Sequence, residues 1–313
     1  VDSLTARAFG AYIKGTAYYD VNTGGYTAEA DVSGLDLTAV PDMPVGVMGI
    51  VSGSFRAGGN SKDGSILAAG TVQAANLSYN GLAADRAQAD VTYDGHVVNV
   101  NQGHADVGSG SLDISGFYDV DQQRPQFSFT AHDIPLDMAS PLLSVPMSGT
   151  ANAAGHIDGQ NWDLAFSAKD GQIKGMLFDS INGSAHGQGK QIEIPALYWR
   201  RGEGLHTLIG RADLDSRTVD ASLTTSHIRV EQLLPLVGKE DLPLTGWADN
   251  TVTIKGTLDN PSAAGSFRLT SGSYAGYLYK NISADYRLNQ GTVYLSNGIF
   301  RPIRLGSSGR LYW

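Results

Sequence analysis

The stretch GFYDVDQQRPQFSFTAHDIPL, residues 116–136, contains the pattern from which the fold of the whole chain can be predicted. An acidic turn that begins at Asp119 leads into an alternating segment with Phe127 and Phe129, and an apolar Ile134–Leu136 segment closes it. Apolar residues at every second position are typical of a β-strand with one apolar face. The stretch therefore predicts a hairpin whose second strand presents its aromatic residues to one side.

The same pattern occurs twice more in the chain. The turn aspartates are Asp20, Asp119 and Asp213, so the copies are 99 and 94 residues apart, and in each copy a closing apolar pair begins 15 positions later, at residues 35, 134 and 228. A fixed internal period of this kind predicts a repeat architecture. The copies are divided as follows: residues 1–45 are the C-terminal part of a repeat, 46–148 repeat 1, 149–245 repeat 2 and 246–313 a partial repeat 3.

Composition indicates an all-β chain. Of the 31 acidic residues 26 are Asp, a turn residue that helix interiors disfavour, and the chain has 39 glycines. An apolar fraction of 42% with 17% charged residues argues against disorder, and a net charge of −9 argues against nucleic-acid binding. There is no cysteine and no apolar run long enough for a membrane-spanning helix. Because the sequence starts without a signal peptide and stops within a repeat, we expect a fragment of a longer protein.

Six strands are predicted for repeat 1. They cover residues 48–56, 66–74, 83–93, 96–106, 110–118 and 126–133. The connections include Asn80-Gly81 and Asp94-Gly95, dipeptides that favour tight hairpin turns. Helix is expected only as short turns, after Leu37 and over Asp137–Leu143. Neighbouring copies follow each other without a flexible spacer, so we expect the sheet to continue from copy to copy.

No constellation in the sequence predicts catalysis or a resident metal. The seven histidines do not fall at metal-ligand spacing, and His132 and His227 are interpreted as strand residues on a solvent face. The acidic turns lack the third oxygen ligand, glycine and distal glutamate of an EF-type loop, so their aspartates are expected to bind nearby backbone N–H groups. We therefore predict a protein that is not an enzyme and has no cofactor.

Two architectures fit alternating strands in repeats of about a hundred residues. A tandem array of immunoglobulin-like sandwiches would give an adhesin or a structural surface array, each domain with a closed dry core. The four tryptophans, at positions 162, 199, 247 and 313, recur at unrelated positions, so no copy has a repeated core anchor of that kind. This favours a continuous sheet, although a sandwich array stays the alternative.

Several segments resemble the repeats of the TamB family, in the AsmA-like superfamily of bridge-like lipid transfer proteins. The segments are Ser109–Gly116 (SGSLDISG), Gly256–Pro261 (GTLDNP), Ala264–Phe267 (AGSF) and Gly291–Leu295 (GTVYL). The resemblance covers nearly all of the chain. The N-terminal anchor and the terminal domain of that family have no counterpart in it.

The resemblance implies an elongated sheet curled into a U-shaped apolar groove, a β-taco. It implies a segment of a bridge, in the periplasm of a diderm bacterium, that shields phospholipid acyl chains between the inner and outer membrane and supports outer-membrane lipid homeostasis. The full-length protein would be anchored in the inner membrane. Its partners would be phospholipids in the groove and an outer-membrane BamA-like barrel protein (TamA or an equivalent), reached through regions outside this sequence.

The residues expected to line such a groove are the larger apolar side chains of alternating strand positions. They are Val91, Tyr93, Val98, Val100, Leu112, Ile114, Phe127, Phe129, Leu164, Phe166, Ile192, Ile194, Leu223, Phe267, Leu269, Val293 and Leu295. Because side chains alternate between faces, a shift of one residue in phase would move a strand's whole set to the other face.

Overall fold

The computed structural model describes residues 3–41, 43, 46–79, 81–140, 145–232, 234, 241–289 and 292–303. Strands make up 79% of these residues, which confirms the all-β prediction. The chain divides into two compact units, Val1–Met176 (unit 1) and Leu177–Trp313 (unit 2).

Unit 1 is built from eleven antiparallel strands within its described residues. The strands are β1 (Leu4–Ala8), β2 (Ala11–Tyr19), β3 (Gly25–Asp36), β4 (Val47–Asn60), β5 (Ser65–Tyr79), β6 (Leu82–Tyr93), β7 (Val97–Val107), β8 (Gly110–Asp119), β9 (Arg124–Pro135), β10 (Met147–Asp158) and β11 (Asn161–Ile173). Each strand pairs with the strand that precedes or follows it in sequence. All six strands predicted for repeat 1 are present, as β4 to β9, so that prediction is confirmed.

Unit 2 continues the same pattern of neighbouring antiparallel pairs. Its strands are β12 (Met176–Gln188), β13 (Gln191–Arg201), β14 (Gly204–Asp213), β15 (Thr218–Arg229), β16 (Leu244–Thr257), β17 (Asn260–Tyr274), β18 (Tyr277–Asn289) and β19 (Thr292–Pro302). The hairpin between β17 and β18 turns on Ala275 (φ 49°) and Gly276 (φ 85°). Two successive residues with positive φ are what a two-residue type I′ hairpin turn requires.

Short 3-10 helices mark the sequence repeat within the described residues. They are η1 (Leu37–Ala39), η2 (Leu136–Ala139) and η3 (Val230–Gln232). Six strands lie between η1 and η2, and six between η2 and η3, in agreement with the predicted period. The first two helices fall where short helical turns were predicted, and residues 141–143 of the second predicted turn lie outside the described residues.

A β-bulge recurs at the strand that ends each repeat. Gly34, Asp133 and His227 have φ of 75°, 49° and 54° and are 99 and 94 residues apart, which is the repeat spacing. A bulge leaves a backbone N–H without its ladder partner. These N–H groups donate instead to a side chain on the following strand, in the pairs Gly34–Ser52 (3.1 Å), Asp133–Asn152 (3.0 Å) and His227–Asp249 (2.9 Å). The repeat is thus fixed by a side-chain acceptor as well as by its hydrophobic pattern.

The aspartates of the acidic turns stabilise these turns by accepting backbone hydrogen bonds. The carboxylates of Asp20, Asp119 and Asp213 accept backbone N–H groups two or three residues later, at 2.9 Å from Asn22, 2.8 Å from Gln122 and 2.9 Å from Asp215. These bonds confirm the prediction made for the turns. Backbone donors such as Asn22 and Ser216 also hold the pKa of Asp20 and of Asp213 below its usual range, because they favour the ionised form.

Candidate functional site: an apolar sheet face

In unit 1, strand pairing assembles one apolar face from residues that are far apart in sequence. A single row of cross-strand partners runs over ten strands, from β2 to β11. Its members are Ile13, Val32, Gly53, Val72, Ala89, Gly103, Ile114, Phe129, Gly155 and Leu164. Every position in this row is apolar or glycine. We call the face that bears it the apolar face of unit 1.

The opposite side of the same strands, the polar face, carries hydrogen-bonding and charged side chains. The neighbouring row reads Lys14, Asp31, Ser54, Thr71 and Asp90. Cross-strand ion pairs on this face join Arg56 to Glu29 at 3.1 Å and Arg86 to Asp106 at 3.0 Å. All four of these side chains are solvent-exposed, so the pairs add little stability. Their arrangement marks the side that faces water.

Ten of the residues predicted to line a groove lie together on the apolar face of unit 1. They are Val91, Tyr93, Val98, Val100, Leu112, Ile114, Phe127, Phe129, Leu164 and Phe166. Each is half-buried. The structure thus brings these residues to one side of the sheet, and their contact with a lipid is a proposal argued below.

Alanine provides a size-matched comparison of the two faces. Ala68 and Ala153, on the apolar face, are half-buried, whereas their chain neighbours Ala69 and Ala154, on the polar face, are exposed. Side-chain size cannot explain this difference, since all four residues are the same. The apolar face is therefore the more enclosed side of the unit 1 sheet.

No closed hydrophobic core fills the described part of unit 1. Among its described hydrophobic residues, only Ala11 and Ala168 are buried, at 1% and 8% exposure. A sandwich domain would bury large side chains of two facing sheets in a dry core. The large side chains of the apolar face, Phe127 and Phe129 among them, are instead half-buried. This face is an apolar surface without a filled interior.

Glycines next to aromatic rings shape the apolar face. Gly70 pairs with Phe55 and Gly155 with Phe129, and a Cβ on either glycine would come within 2.5 Å of the opposing ring. Each ring therefore lies down over the neighbouring glycine. The sequence shows a high glycine content, but this use of it depends on which residues face each other across strands.

Unit 2 has an apolar face of the same kind. One row of partners runs over eight strands, from β12 to β19. Its members are Gly183, Leu197, Leu208, Leu223, Val252, Gly265, Tyr286 and Leu295. The remaining predicted lining residues, Ile192, Ile194, Leu223, Phe267, Leu269, Val293 and Leu295, all lie on this face.

Burial in unit 2 is less even than in unit 1. A small core of Ile228, Val230, Ala248, Leu269 and Tyr279 lies where η3 follows β15. Leu269 is accordingly buried, at 7% exposure. Val293 and Leu295 on β19 are 58% and 66% exposed, because β18 is the only partner strand that the described residues provide for β19. The 3-10 helix thus covers one end of the strands. In the middle row Val252 is also buried, at 8% exposure, whereas Leu208 and Leu223 are half-buried.

Unit 1 also has concavities on its polar face, one of them with a volume of about 1040 Å³. They are open furrows between neighbouring rows of side chains, such as the row of Thr16, Glu29 and Arg56 and the row of Tyr18, Thr27 and Leu67. At the strand positions between these rows the side chains lie on the apolar face, so only their backbone atoms line the bottom of the furrows. The width of each furrow therefore follows from the two-residue repeat of side chains along a strand, about 6.6 Å.

Adjacent turns are bridged by contacts that the sequence did not predict. Asp121 lies 2.6 Å from the ring nitrogen of His96 in unit 1, and Lys190 donates to Asp215 at 2.6 Å in unit 2. In the turns at Asp119 and Asp213, the second aspartate therefore ties its hairpin to a neighbouring one. His132 and His227 are exposed strand residues, as predicted, but His227 also stacks on Trp247 with ring centroids 4.0 Å apart.

Within the described residues, no cluster of three or more His, Asp or Glu side chains could hold a metal ion. None of the helices there has the length and hydropathy needed to cross a membrane. Comparison with protein families, with characterised proteins and with solved structures gave no significant match.

Proposed function

We propose that this chain binds the acyl chains of phospholipids along its apolar face, as a periplasmic segment of a lipid-transport bridge between the inner and outer membranes. The observation that carries the proposal is the apolar face of unit 1. Its ten-strand row is wholly apolar or glycine, and the described residues provide no filled core against it. A half-buried apolar surface of this extent, with no filled core against it among the described residues, marks a place where another apolar body binds.

Hydrocarbon fits this face energetically. Each methylene removed from water contributes about 0.8 kcal/mol, so a chain of a dozen or more carbons gains substantially from the contact. The headgroup can stay in water, where its charge keeps its hydration. Since contacts with Phe127, Phe129 and Ile114 are non-directional, an acyl chain can move along the face in small steps.

A closed sandwich array is the competing explanation, and the described part of unit 1 argues against it. The buried cluster of unit 2 around Tyr279 is the feature closest to a closed core. It lies at the strand ends beside η3, whereas Leu208 and Leu223 in the middle of the same face stay partly accessible. The barrel partner in the outer membrane and the inner-membrane anchor belong to the proposal through the family resemblance.

The tryptophans of the chain offer a direct test. Trp162 lies on the apolar face of unit 1, and Trp247 lies on the opposite face of unit 2, between His227 and the guanidinium of Arg229. Two single-tryptophan variants, each retaining one of these residues with the others changed to Phe, would be loaded with phospholipid brominated on its acyl chains. We expect quenching of Trp162 and none of Trp247. Lipid-loaded protein with equal or no quenching at the two positions would contradict the proposal.

A further inference from the structure

One row on the apolar face of unit 2 differs in chemistry from its counterpart in unit 1. In unit 1 the row reads Ala105, Leu112, Ala131, Ala153 and Phe166. At the equivalent strand positions of unit 2 it reads Trp199, His206, Thr225, Asn250 and Phe267. We call Trp199, His206, Thr225 and Asn250 the polar row. Polar groups have thus replaced apolar ones in the middle of an apolar face.

The polar row is held in place by hydrogen bonds. Nδ1 of His206 lies 2.9 Å from Oγ1 of Thr225, and the hydroxyl of Tyr286 donates to Oδ1 of Asn250 at 3.0 Å. Thr225 is only 4% exposed. Burial lowers the pKa of His206, so its ring is neutral at neutral pH. The row is therefore polar but carries no charge.

Hydrogen-bond donors remain unused in this row. The indole Nε1 of Trp199 has almost no accessible surface and no hydrogen-bond partner among the described residues, although a buried N–H without an acceptor is unfavourable. Asn250 uses its oxygen for Tyr286, which leaves its two amide N–H groups to other acceptors. Neutral donors on an apolar surface suit a neutral oxygen acceptor better than a carboxylate. An ester carbonyl is such an acceptor, and it is attached directly to an acyl chain.

Arg201 lies two residues beyond Trp199 on the same face of β13, about 6.6 Å further along the strand. It is half-buried, and no carboxylate of the described residues is within ion-pair distance of it. The nearby Asp179 accepts the backbone N–H of Gly202 at 2.6 Å, and Glu203 pairs with His227 at 3.2 Å. A cation at the end of an apolar face, with no counter-ion among the described residues, suits the phosphate of an amphiphile.

We propose that the polar row binds the ester carbonyl of a phosphoglyceride whose acyl chains lie on the apolar face, and that Arg201 pairs with its phosphate. The inference rests on the proposed function and adds a retention point to it. At the apolar row of unit 1 a lipid slides freely, whereas at the polar row it is held. Access to the indole nitrogen needs a side-chain rotation, which we assign to the His206 ring, tilted by 40° with its centroid 5.0 Å from that of Trp199.

The test compares diester phosphatidylglycerol with its diether analogue, which has no carbonyl. A photoreactive residue at Leu223, in the row beside the polar row, reports on unit 2, and one at Phe129 reports on unit 1. With an equal mixture of the two lipids we expect the diester to give about three to ten times more adduct at Leu223, the value of one or two hydrogen bonds. No preference is expected at Phe129.

Two variants test the donors. Trp199→Phe keeps an aromatic ring but removes the N–H, and should reduce the ratio of diester to diether adduct at Leu223. If Trp199→Phe impairs folding, Asn250→Ala serves the same purpose, because Ala occupies that position in unit 1. An equal yield of both lipids at Leu223 in the unmodified chain would overturn the inference and leave the proposed function standing. Absence of adducts at both reporters, in folded protein, would overturn the proposed function itself.

Arg201→Gln tests the phosphate contact separately. We expect it to lower the adduct yield of phosphatidylglycerol at Leu223 relative to that of diacylglycerol, which has esters but no phosphate. An unchanged ratio of these two lipids would remove Arg201 from the site.

Discussion

Phe129 of β9 lies directly opposite Gly155 of β10, and a Cβ on Gly155 would come within 2.5 Å of the Phe129 ring. Gly155→Ala should therefore push the ring out of its position and destabilise the protein by about 1–3 kcal/mol, as overpacking does. Urea unfolding measures this change. Gly298→Ala is the matched control, because that glycine has no atom within 4 Å of its Cβ position, and it should be nearly neutral. Equal effects of the two substitutions would contradict the packing described for Phe129.

The bulge at Asp133 depends on an acceptor from the next strand, Asn152, at 3.0 Å. Asn152→Ala removes the acceptor and should lower the free energy of unfolding by about 0.5–1.5 kcal/mol, because the exposed bulge N–H then bonds to water instead. Asn152→Asp keeps an acceptor, as Asp249 does for His227 in unit 2, and should stay close to the unmodified chain. If chemical denaturation gave the same unfolding free energy for Asn152→Asp and Asn152→Ala, this role of Asn152 would be contradicted.

Acidification should strengthen one contact on the polar face. The hydrogen bond to Asp113, with Nδ1 and Oδ1 2.7 Å apart, raises the pKa of His104, and Asp106 adds to the effect. A raised folded-state pKa stabilises the fold below the unfolded value of about 6.5, and this contribution is lost as pH rises through the folded value. The unfolding free energy lost in His104→Gln should therefore be larger at pH 5.5 than at pH 8.5. Because these groups are exposed, the loss of unfolding free energy should differ only slightly between the two pH values. A larger loss at pH 8.5 than at pH 5.5 would contradict this role of His104.

A charge on the apolar face should block lipid binding without unfolding the sheet. Phe129→Asp places a carboxylate where an acyl chain would lie, and an open face lets water reach it. Ser128→Asp adds the same charge to the polar face one residue away. We expect the amount of phospholipid that copurifies with the protein to fall severalfold for Phe129→Asp and to stay unchanged for Ser128→Asp. Both variants should still unfold cooperatively, which would show that they are folded. If Phe129→Asp unfolded the protein and Ser128→Asp did not, Phe129 would instead belong to a closed core.

The period-two alternation in the sequence was sufficient to predict the strands and the shared face of side chains such as Phe127 and Phe129, because alternation depends on local geometry alone. The repeat spacing likewise matches the recurrence of η1, η2 and η3. The bonds of the bulges at Asp133 and His227, and the bridge between His96 and Asp121, could not be predicted. They depend on which residues of another strand or turn lie opposite, and this register is decided by tertiary pairing.

The candidate site, too, could be predicted only in part from the sequence. Its face could be predicted from the sequence, but its unequal burial could not. Leu269 is buried because η3 folds over the strand ends, and Val293 and Leu295 are exposed because the described residues provide β19 with one partner strand only. The polar row was missed because Trp199, His206, Thr225 and Asn250 come from four strands and share no sequence motif.

The central claim, that acyl chains lie on the apolar face, is tested most directly by site-specific photo-crosslinking in cells that contain labelled phospholipid. Photoreactive residues would replace Phe129, Phe166 and Leu223 on the apolar faces, and Ser128 and Thr224 on the opposite faces one residue away. We predict phospholipid adducts at the first three positions and none at the other two. An equal yield on both faces, or no adduct at any of the first three positions in well-expressed folded protein, would contradict the account.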